Sequence, residues 1–191
     1  MNAKELLAFL SRIEPLKTNT RHSYTAGGTH ETVAAHSWRL AVMAMLLREE
    51  FPELDMDKVV DMCLIHDFGE AVTGDIPSFL KTGADEDAEV DAVSGLVNTL
   101  PAPQRDRLAA LYAEMDALET KEARLYKALD KLEAVMQHNE SDLSTWIPRE
   151  YELNLTYGEE NAKEFPFLSD LRKQMRRDTE EKIQAAKEKE Q

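Results

Sequence analysis

The amino-acid sequence predicts an all-α fold, a bundle of amphipathic helices. Apolar residues recur at helical spacing along most of the chain, which indicates helices that each bury one face. Seven glycines and seven prolines among 191 residues are too few for an all-β chain with its many turns. No segment shows a convincing alternation of apolar and polar residues, the pattern of a strand. A chain of this length is expected to form one domain.

The first part of the chain is expected to hold two helices joined by a loop. Residues 2–13 form a short amphipathic helix that ends near Pro15. Residues 17–31 are polar and contain glycine, which predicts a loop. Residues 32–51 are apolar nearly all round, the pattern of a central buried helix, and Pro52 stops it.

The next helix is expected to begin at Asp55 or Asp57, because either side chain can cap its first turn. Its apolar residues follow the i, i+3, i+4, i+7 spacing of a one-sided helix. A break follows at Gly74 and Pro77. Further helices are predicted over residues 85–100, 104–118, 120–139 and 150–162, and from residue 170 onward. His138, near the end of one of them, is expected to lie at the surface.

The composition excludes several classes of function. A net charge of −14 disfavours nucleic acid polymers, which bind clustered basic residues. No run approaches the roughly 18–20 apolar residues that span a membrane, and the first residues do not resemble a signal peptide. Cys63 stands alone, so neither an internal disulfide nor a metal site of two cysteines can form. We therefore expect a soluble, cytoplasmic protein without a membrane or nucleic acid partner.

One stretch, LIHDFGEAVTGDIP at residues 64–77, combines apolar residues with ionisable side chains. It is apolar enough to be buried, yet it contains His66, Asp67, Glu70 and Asp75. Both inward rows of the preceding helix end on the His-Asp pair, and Glu70 follows on the same side. Unpaired buried charge costs free energy, so this cluster needs a partner. For an isolated His-Asp pair, a salt bridge or a helix-end cap would be sufficient.

Two other helices carry similar residues. His36 lies within the most apolar helix, where a lone histidine is usually an ordinary core residue. Asp130 borders the inward face of its own helix, where pairing with a neighbouring lysine is the ordinary interpretation. Together with the His66-Asp67 pair they offer two imidazoles and two carboxylates. That set suits a divalent transition ion such as Mn, Fe, Co, Ni or Zn, and the coordination positions left open indicate a catalytic ion.

The pattern His36…His66-Asp67…Asp130 resembles the signature of the HD-domain metal-dependent phosphohydrolases. The resemblance is closer to one branch, the 5′-deoxynucleotidases of the bacterial YfbR type and their eukaryotic relatives. The phrases that carry it are ETVAAHSWR, LIHDFGEAVTGDIP and TKEARLYKALDKLEAVMQ. The dipeptide HD alone is a weak signal, but its combination with TGDIP, an upstream AHS and a downstream LDKLE is specific.

The resemblance implies an HD-domain helical bundle of five or more core helices within about residues 10–140. Residues 141–191 would form a C-terminal helical extension of the same single domain. It implies one divalent ion, drawn from Mn, Co, Fe, Ni, Zn and Mg. The ligands would be His36, His66, Asp67 and Asp130. It also implies hydrolysis of deoxynucleoside 5′-monophosphates to nucleoside and phosphate, and a homodimer.

The same branch carries an Arg-Trp pair that contacts the substrate. Arg21 fits the arginine, while His22 stands where the branch has tryptophan, so only the arginine contact carries over. Lys81 is a candidate for a second positive group at the phosphate, or an ordinary solvated lysine. Glu70 and Asp75 are the expected acid–base pair. Each has a structural alternative: Glu70 would only orient a ligand histidine, and Asp75 would be a turn residue or cap a short helix at Pro77.

Two competing interpretations of function stay open. The chain can be an HD hydrolase of another phosphate ester, such as a cyclic dinucleotide or an alarmone. It can also be a metal-stapled interaction module without turnover. The single small domain and the TGDIP phrase favour a small monoester. Glu70 and Asp75 argue against the module, because a purely structural ion requires neither.

Overall fold

A computed structural model describes residues 1–189, and its regular structure is almost entirely helical. The all-α prediction is confirmed. The helices are α1 (Ala3–Ile13), α2 (Val33–Leu46), α3 (Met56–Ile65), α4 (Glu70–Thr73), α5 (Gly83–Val97), α6 (Ala102–Ala117), α7 (Lys121–Glu140), α8 (Pro148–Thr156), α9 (Glu159–Ala162) and α10 (Pro166–Lys189). The predicted C-terminal extension runs to residue 191, and its last two positions lie outside the described residues. No helix within residues 1–189 is long and apolar enough to cross a membrane.

The central helices α2, α3 and α7 pack against one another and form the core. Their inward side chains are fully buried. These are Leu40 and Ala44 on α2, Val59, Met62 and Cys63 on α3, and Leu125, Leu129 and Leu132 on α7. Helix α10 covers the other side of α7 with Leu168 and Met175. Because α2, α3 and α7 are held by this packing, polar side chains that they carry inward have little freedom to move.

Local hydrogen bonds explain where the helices begin and end. The Asp55 side chain accepts a hydrogen bond from the backbone N–H of Lys58 at 3.1 Å, which confirms one of the two predicted caps. The prediction of one helix over 32–51 is too long, since α2 ends at Leu46 and a short 3₁₀ turn covers Arg48–Glu50. The backbone leaves the helical conformation at Leu47, which has φ −91° and ψ 9°.

The prediction of a loop over residues 17–31 is wrong. Strands β1 (Thr20–Tyr24) and β2 (His30–Thr32) form an antiparallel hairpin in which Thr20 pairs with Thr32 and Tyr24 with His30. The strands have five and three residues, too few for an alternating pattern to stand out. The hairpin is tied to α7, because Gln137 Nε2 donates a hydrogen bond to the Tyr24 carbonyl at 2.6 Å.

The single helix predicted over 150–162 is two helices, α8 and α9. Gly158 separates them with a φ of +75°, a left-handed conformation that favours glycine. A Cβ atom at this position would lie 3.0 Å from the Lys131 Cβ. This glycine therefore allows the turn between α8 and α9 to pass close to α7.

We expect Gly158→Ala to lower the free energy of unfolding by about 1–3 kcal/mol, because alanine is strained at positive φ. The measurement is denaturant unfolding followed by circular dichroism. Gly95→Ala is the matched control, since Gly95 lies within α5 and a Cβ there meets no atom within 4 Å. It should leave stability unchanged or raise it by up to about 1 kcal/mol. Equal effects of the two substitutions would contradict this account of Gly158.

Candidate active site

The structure brings the four predicted metal ligands together at the centre of the core. His36 Nε2 lies 3.3 Å from His66 Nε2 and 3.2 Å from Asp130 Oδ1. Asp67 Oδ2 lies 3.1 Å from His66 Nε2 and 3.9 Å from His36 Nε2. Donor atoms that share one ion at about 2.0–2.2 Å lie roughly 3–4 Å from one another. The separations therefore fit a single cation among these four side chains.

The helices supply these donors from separate segments. His36 lies in the first half of α2 and Asp130 near the middle of α7. His66 and Asp67 follow directly after α3, where the backbone turns toward α4. Asn19 Nδ2 donates to the Glu70 carbonyl at 2.7 Å and fastens the start of α4 to the segment before β1.

The outer nitrogen of each imidazole is occupied by a protein acceptor. His36 Nδ1 contacts the Glu133 carboxylate, and His66 Nδ1 lies 2.9 Å from the Cys63 carbonyl. A neutral histidine that donates from Nδ1 presents a lone pair at Nε2, the atom that binds a metal. Asp67 Oδ2 is buried 3.1 Å from His66 Nε2, the inner nitrogen of that ring. Two inner ring nitrogens beside a buried carboxylate oxygen fit a cation, which would take the place of the His66 proton.

The electrostatics of the cluster lead to the same conclusion. Burial alone would lower the pKa of His66, but Asp67 and Asp130 outweigh burial and raise that pKa to about 10. Burial would raise the pKa of Asp130, but Lys127 and the two imidazoles hold it well below its usual value. The two carboxylates thus stay ionised, and a positive charge between them is strongly favoured.

Sequence analysis missed two residues that support this cluster. Glu133 is fully buried, and its carboxylate contacts His36 Nδ1. Arg39 Nε donates a hydrogen bond to the same carboxylate at 2.6 Å. Arg39 also donates to Gln137 and Glu140, each at 2.6 Å. The only signal in the sequence is spacing, because Arg39 follows His36 by three residues and Glu133 follows Asp130 by three, one helical turn in each case.

A cleft opens beside the cluster, and we call it the Arg21 cleft. It is lined by Arg21, Glu70, Asp75 and Asp130, and by a second group, His22, Phe79, His138 and Asn154, whose members contact one another. His138 follows Asp130 by eight residues on α7, about 12 Å along the helix, so the second group forms the other end of the cleft. Arg21 Nη1 lies 3.5 Å from Asp67 Oδ2, and Arg21 Nε lies 3.4 Å from Glu31 Oε2. The buried Glu31 on β2 therefore holds the guanidinium of Arg21 against the ligand cluster. Sequence analysis did not identify Glu31 as part of the site.

The predicted acid–base pair lies in this cleft beside Arg21. Burial, together with the negative charges of Asp67 and Asp75, raises the pKa of Glu70 to about 9. Burial also raises the pKa of Asp75, in spite of the Arg21 charge. Glu70 Oε2 is buried, and no described residue forms a hydrogen bond with it. Both carboxyls therefore hold a proton more readily than an exposed carboxyl does.

The lysines of the cleft differ in their contacts. Lys81 lines the cleft, as expected for a phosphate contact, but forms an ion pair with Glu89. Lys127 Nζ lies 2.9 Å from Asp130 Oδ2. Asp130 therefore pairs with a neighbouring lysine, as its ordinary interpretation predicted, and also lies in the ligand cluster. Lys127 lines the cleft too, and sequence analysis gave it no part in the site.

The prediction that His138 lies at the surface is wrong. Only 6% of its surface is exposed, and His138 Nδ1 lies 3.1 Å from Asn154 Oδ1. Glu150 Oε1 lies 3.6 Å from His138 Nε2 and 2.9 Å from His22 Nε2. Helix α8, which carries Glu150 and Asn154, lies against the end of α7 and buries His138. The helical pattern of α7 alone did not predict this contact.

Comparisons with known proteins point to a single family. A family model described as HD domain matches residues 13–172. The chain is 31% identical over 142 residues to the 5′-deoxynucleotidase HDDC2 of Homo sapiens, covering 72% of this chain and 69% of that protein. It is 27% identical over 167 residues to the 5′-deoxynucleotidase hdd1 of Schizosaccharomyces pombe, covering 76% and 83%.

Solved structures share the architecture. A crystal structure from Magnetospirillum magnetotacticum, described as a predicted metal-dependent phosphohydrolase, has 28% sequence identity and a TM-score of 0.78. The match covers 94% of this chain and 93% of that one. A conserved hypothetical protein from Pyrococcus furiosus has 27% identity and a TM-score of 0.68, with 90% and 99% covered.

We expect Glu133→Gln to weaken divalent-metal affinity by about 10- to 100-fold, because the His36 imidazole loses its carboxylate acceptor. Chelator competition with Mn or Co measures this affinity without reference to turnover. Glu140→Gln is the matched control, since Glu140 contacts the same arginine but is half-exposed. It should change the affinity by no more than roughly twofold. Similar losses in both variants would contradict a positioning role for Glu133.

Metal affinity should also rise with pH. The raised pKa of His66 means that the metal-free protein holds a proton there at neutral pH, and the ion must displace that proton. The apparent affinity should rise roughly tenfold per pH unit for each displaced proton and level off near pH 10. Titrations at pH 6, 7 and 8, corrected for chelator protonation, measure the slope. A flat profile would show that no proton competes with the ion.

Proposed function

This chain belongs to the HD domain family, and we propose that it hydrolyses deoxynucleoside 5′-monophosphates to nucleoside and phosphate. As a family member it is a metal-dependent phosphohydrolase. The observation that carries the proposal is the convergence of His36, His66, Asp67 and Asp130 beside the buried Arg21. The relatives named 5′-deoxynucleotidase support the choice of substrate.

The four clustered side chains would hold one divalent ion, drawn from Mn, Co, Fe, Ni, Zn and Mg. When bound, such an ion supplies Lewis acidity toward a phosphate oxygen and toward water. The remaining steps belong to side chains of this protein. Their chemistry follows from the charges and contacts of the Arg21 cleft.

Arg21 would bind and orient the phosphate. Its planar guanidinium matches two phosphate oxygens, and Glu31 fixes its direction from the side away from the cluster. Its positive charge would also stabilise charge that develops on the transferring group. Lys81 would add a second positive group once a phosphate competes with Glu89 for its ammonium group.

Glu70 and Asp75 would divide the two proton transfers between them. One of them, ionised as a carboxylate, would take a proton from the attacking water, and the other, protonated as a carboxylic acid, would give its proton to the departing 5′-oxygen. Their raised pKa values suit groups that exchange protons near neutral pH. Glu70 lines the cleft, and its Oε2 atom, which has no partner among the described residues, would contact water or substrate during the reaction.

Several finer points belong to this proposal. We propose a homodimer, in which the exposed apolar side chains Leu7, Trp38 and Leu46 would be candidates for burial. We propose one domain with residues 141–191 as its extension, and a cytoplasmic location, for which the lone buried Cys63 is the support. The net charge of −14 supports a small nucleotide as partner over a nucleic acid polymer.

Phosphate release from a panel of substrates tests the function. Metal-free protein is reconstituted with each candidate metal and given deoxynucleotides, ribonucleotides, a cyclic dinucleotide and an alarmone. Release from deoxynucleoside monophosphates, abolished by chelator, is expected. Preferential cleavage of a cyclic dinucleotide or alarmone would favour the competing HD hydrolase. No release under any metal, with the metal bound, would favour an interaction module.

Glu70→Gln and Asp75→Asn should each lower kcat by about 10²- to 10⁴-fold, because each removes one proton transfer. Metal content, measured by elemental analysis, should stay at the level of the unmodified protein. Asp87→Asn, at an exposed position of α5, is the control and should keep full activity. Near-normal rates in both active-site variants would remove the pair from the mechanism.

A further inference from the structure

The end of the Arg21 cleft away from the metal ligands holds a polar group that the proposed reaction leaves unused. Asn154 on α8 lines this end, and only 2% of its surface is exposed. Its Nδ2 atom is buried and has no hydrogen-bond partner within residues 1–189. A buried amide donor without an acceptor costs free energy, so a native site with one is usually completed by a ligand or by water.

His138 determines which atom of the amide is free. His138 Nδ1 lies 3.1 Å from Asn154 Oδ1, within hydrogen-bond distance. The 3.6 Å between His138 Nε2 and Glu150 Oε1 is too long for a hydrogen bond. The proton of a neutral His138 therefore belongs on Nδ1, where it is donated to the amide oxygen. This leaves Asn154 Nδ2 unpaired.

The surroundings of Asn154 suit the flat, polar surface of a nucleoside. His22, which follows Arg21 along β1, stands edge-on to Phe79 with ring centroids 5.4 Å apart. It also stands edge-on to His138 at 5.3 Å. The cleft thus continues from the guanidinium of Arg21 to a group of aromatic rings beside a free donor. Rings of this kind bind bases and sugars by contact with their faces.

We propose that Asn154 Nδ2 donates a hydrogen bond to the nucleoside part of the substrate and so selects nucleotides over other phosphate monoesters. This inference rests on the proposed function. The acceptor is a carbonyl or ring nitrogen of the base, or an oxygen of the sugar. His138 is a positioning residue in this scheme, because it holds the amide without contacting the reacting atoms.

A second cavity is an alternative binding site for the nucleoside. It lies between α5, α6 and α7, has a volume of about 580 Å³ and also reaches His66 and Asp67. Among the described residues that line it, only Asp67 has a buried polar atom without a partner. The Arg21 cleft encloses about 130 Å³, but Ser78 at its rim is exposed, so a nucleoside can extend outward. The unpaired donor therefore favours the Arg21 cleft.

Inhibition by the two separate products tests this inference on the metal-loaded enzyme. Asn154→Leu removes both polar atoms, and Asn154→Asp keeps the oxygen that faces His138 but removes the donor. Both should raise KM for a deoxynucleoside monophosphate and Ki for the deoxynucleoside roughly three- to tenfold. The Ki of inorganic phosphate should stay unchanged, because phosphate occupies the other end of the cleft. Asn161→Leu is the control, since Asn161 contacts Lys131 outside the cleft.

Deoxyribose 5-phosphate, which has the sugar and the phosphate but no base, distinguishes an acceptor on the base from an acceptor on the sugar. A rise in its KM alongside that of the nucleotide indicates contact with the sugar, and a rise for the nucleotide alone indicates the base. An unchanged deoxynucleoside Ki in both folded Asn154 variants would overturn the inference. Ala113→Trp, which fills the second cavity, would then be expected to raise that Ki. If the unmodified enzyme cleaves no deoxynucleotide with any metal, the proposed function fails and takes this inference with it.

Discussion

Negative charge buried within an apolar core is the constraint on which this structure depends. Asp67 and Asp130 lie beside two imidazoles whose outer nitrogens are already engaged, so the carboxylates face the inner nitrogens of the two rings. Such an arrangement costs several kcal/mol if no positive charge enters it. In the metal-free protein a proton on His66 supplies part of that charge, as its raised pKa indicates. A divalent ion supplies more of it and leaves coordination positions for reactants.

The packing of α2, α3 and α7 keeps this costly cluster in place. His36 and Asp130 each lie within one helical turn of fully buried leucines, Leu40 and Leu129 among them. Glu133 and Arg39 extend the cluster outward as a chain of charged hydrogen bonds that ends at half-exposed Glu140. Rigid helices therefore carry the proposed ligands, and buried ion pairs orient them, which is the arrangement that a preorganised catalytic site requires.

The Arg21 cleft combines elements that are distant in the sequence. The hairpin contributes Arg21 and His22, the segment around α4 contributes Glu70 and Asp75, and α8 contributes Asn154. Charge dominates at the end near the metal ligands, while aromatic rings and neutral polar groups dominate at the other. A nucleoside monophosphate has the same division, with an anion at one end and a flat polar group at the other. In the proposed function, α8 is thus a wall of the substrate site.

The sequence by itself determined the all-helical architecture and predicted the candidate ligand set. Helical periodicity is repeated many times along each long helix, and the ligand motif lies in short phrases whose residues are close in the chain. Only the tertiary structure decided the hairpin, the role of Glu133 and the burial of His138. Glu133 contacts His36 and Arg39, which lie 97 and 94 residues before it in the sequence. In a helix rich in charged residues, one glutamate cannot be distinguished from an exposed one until the fold supplies its partner.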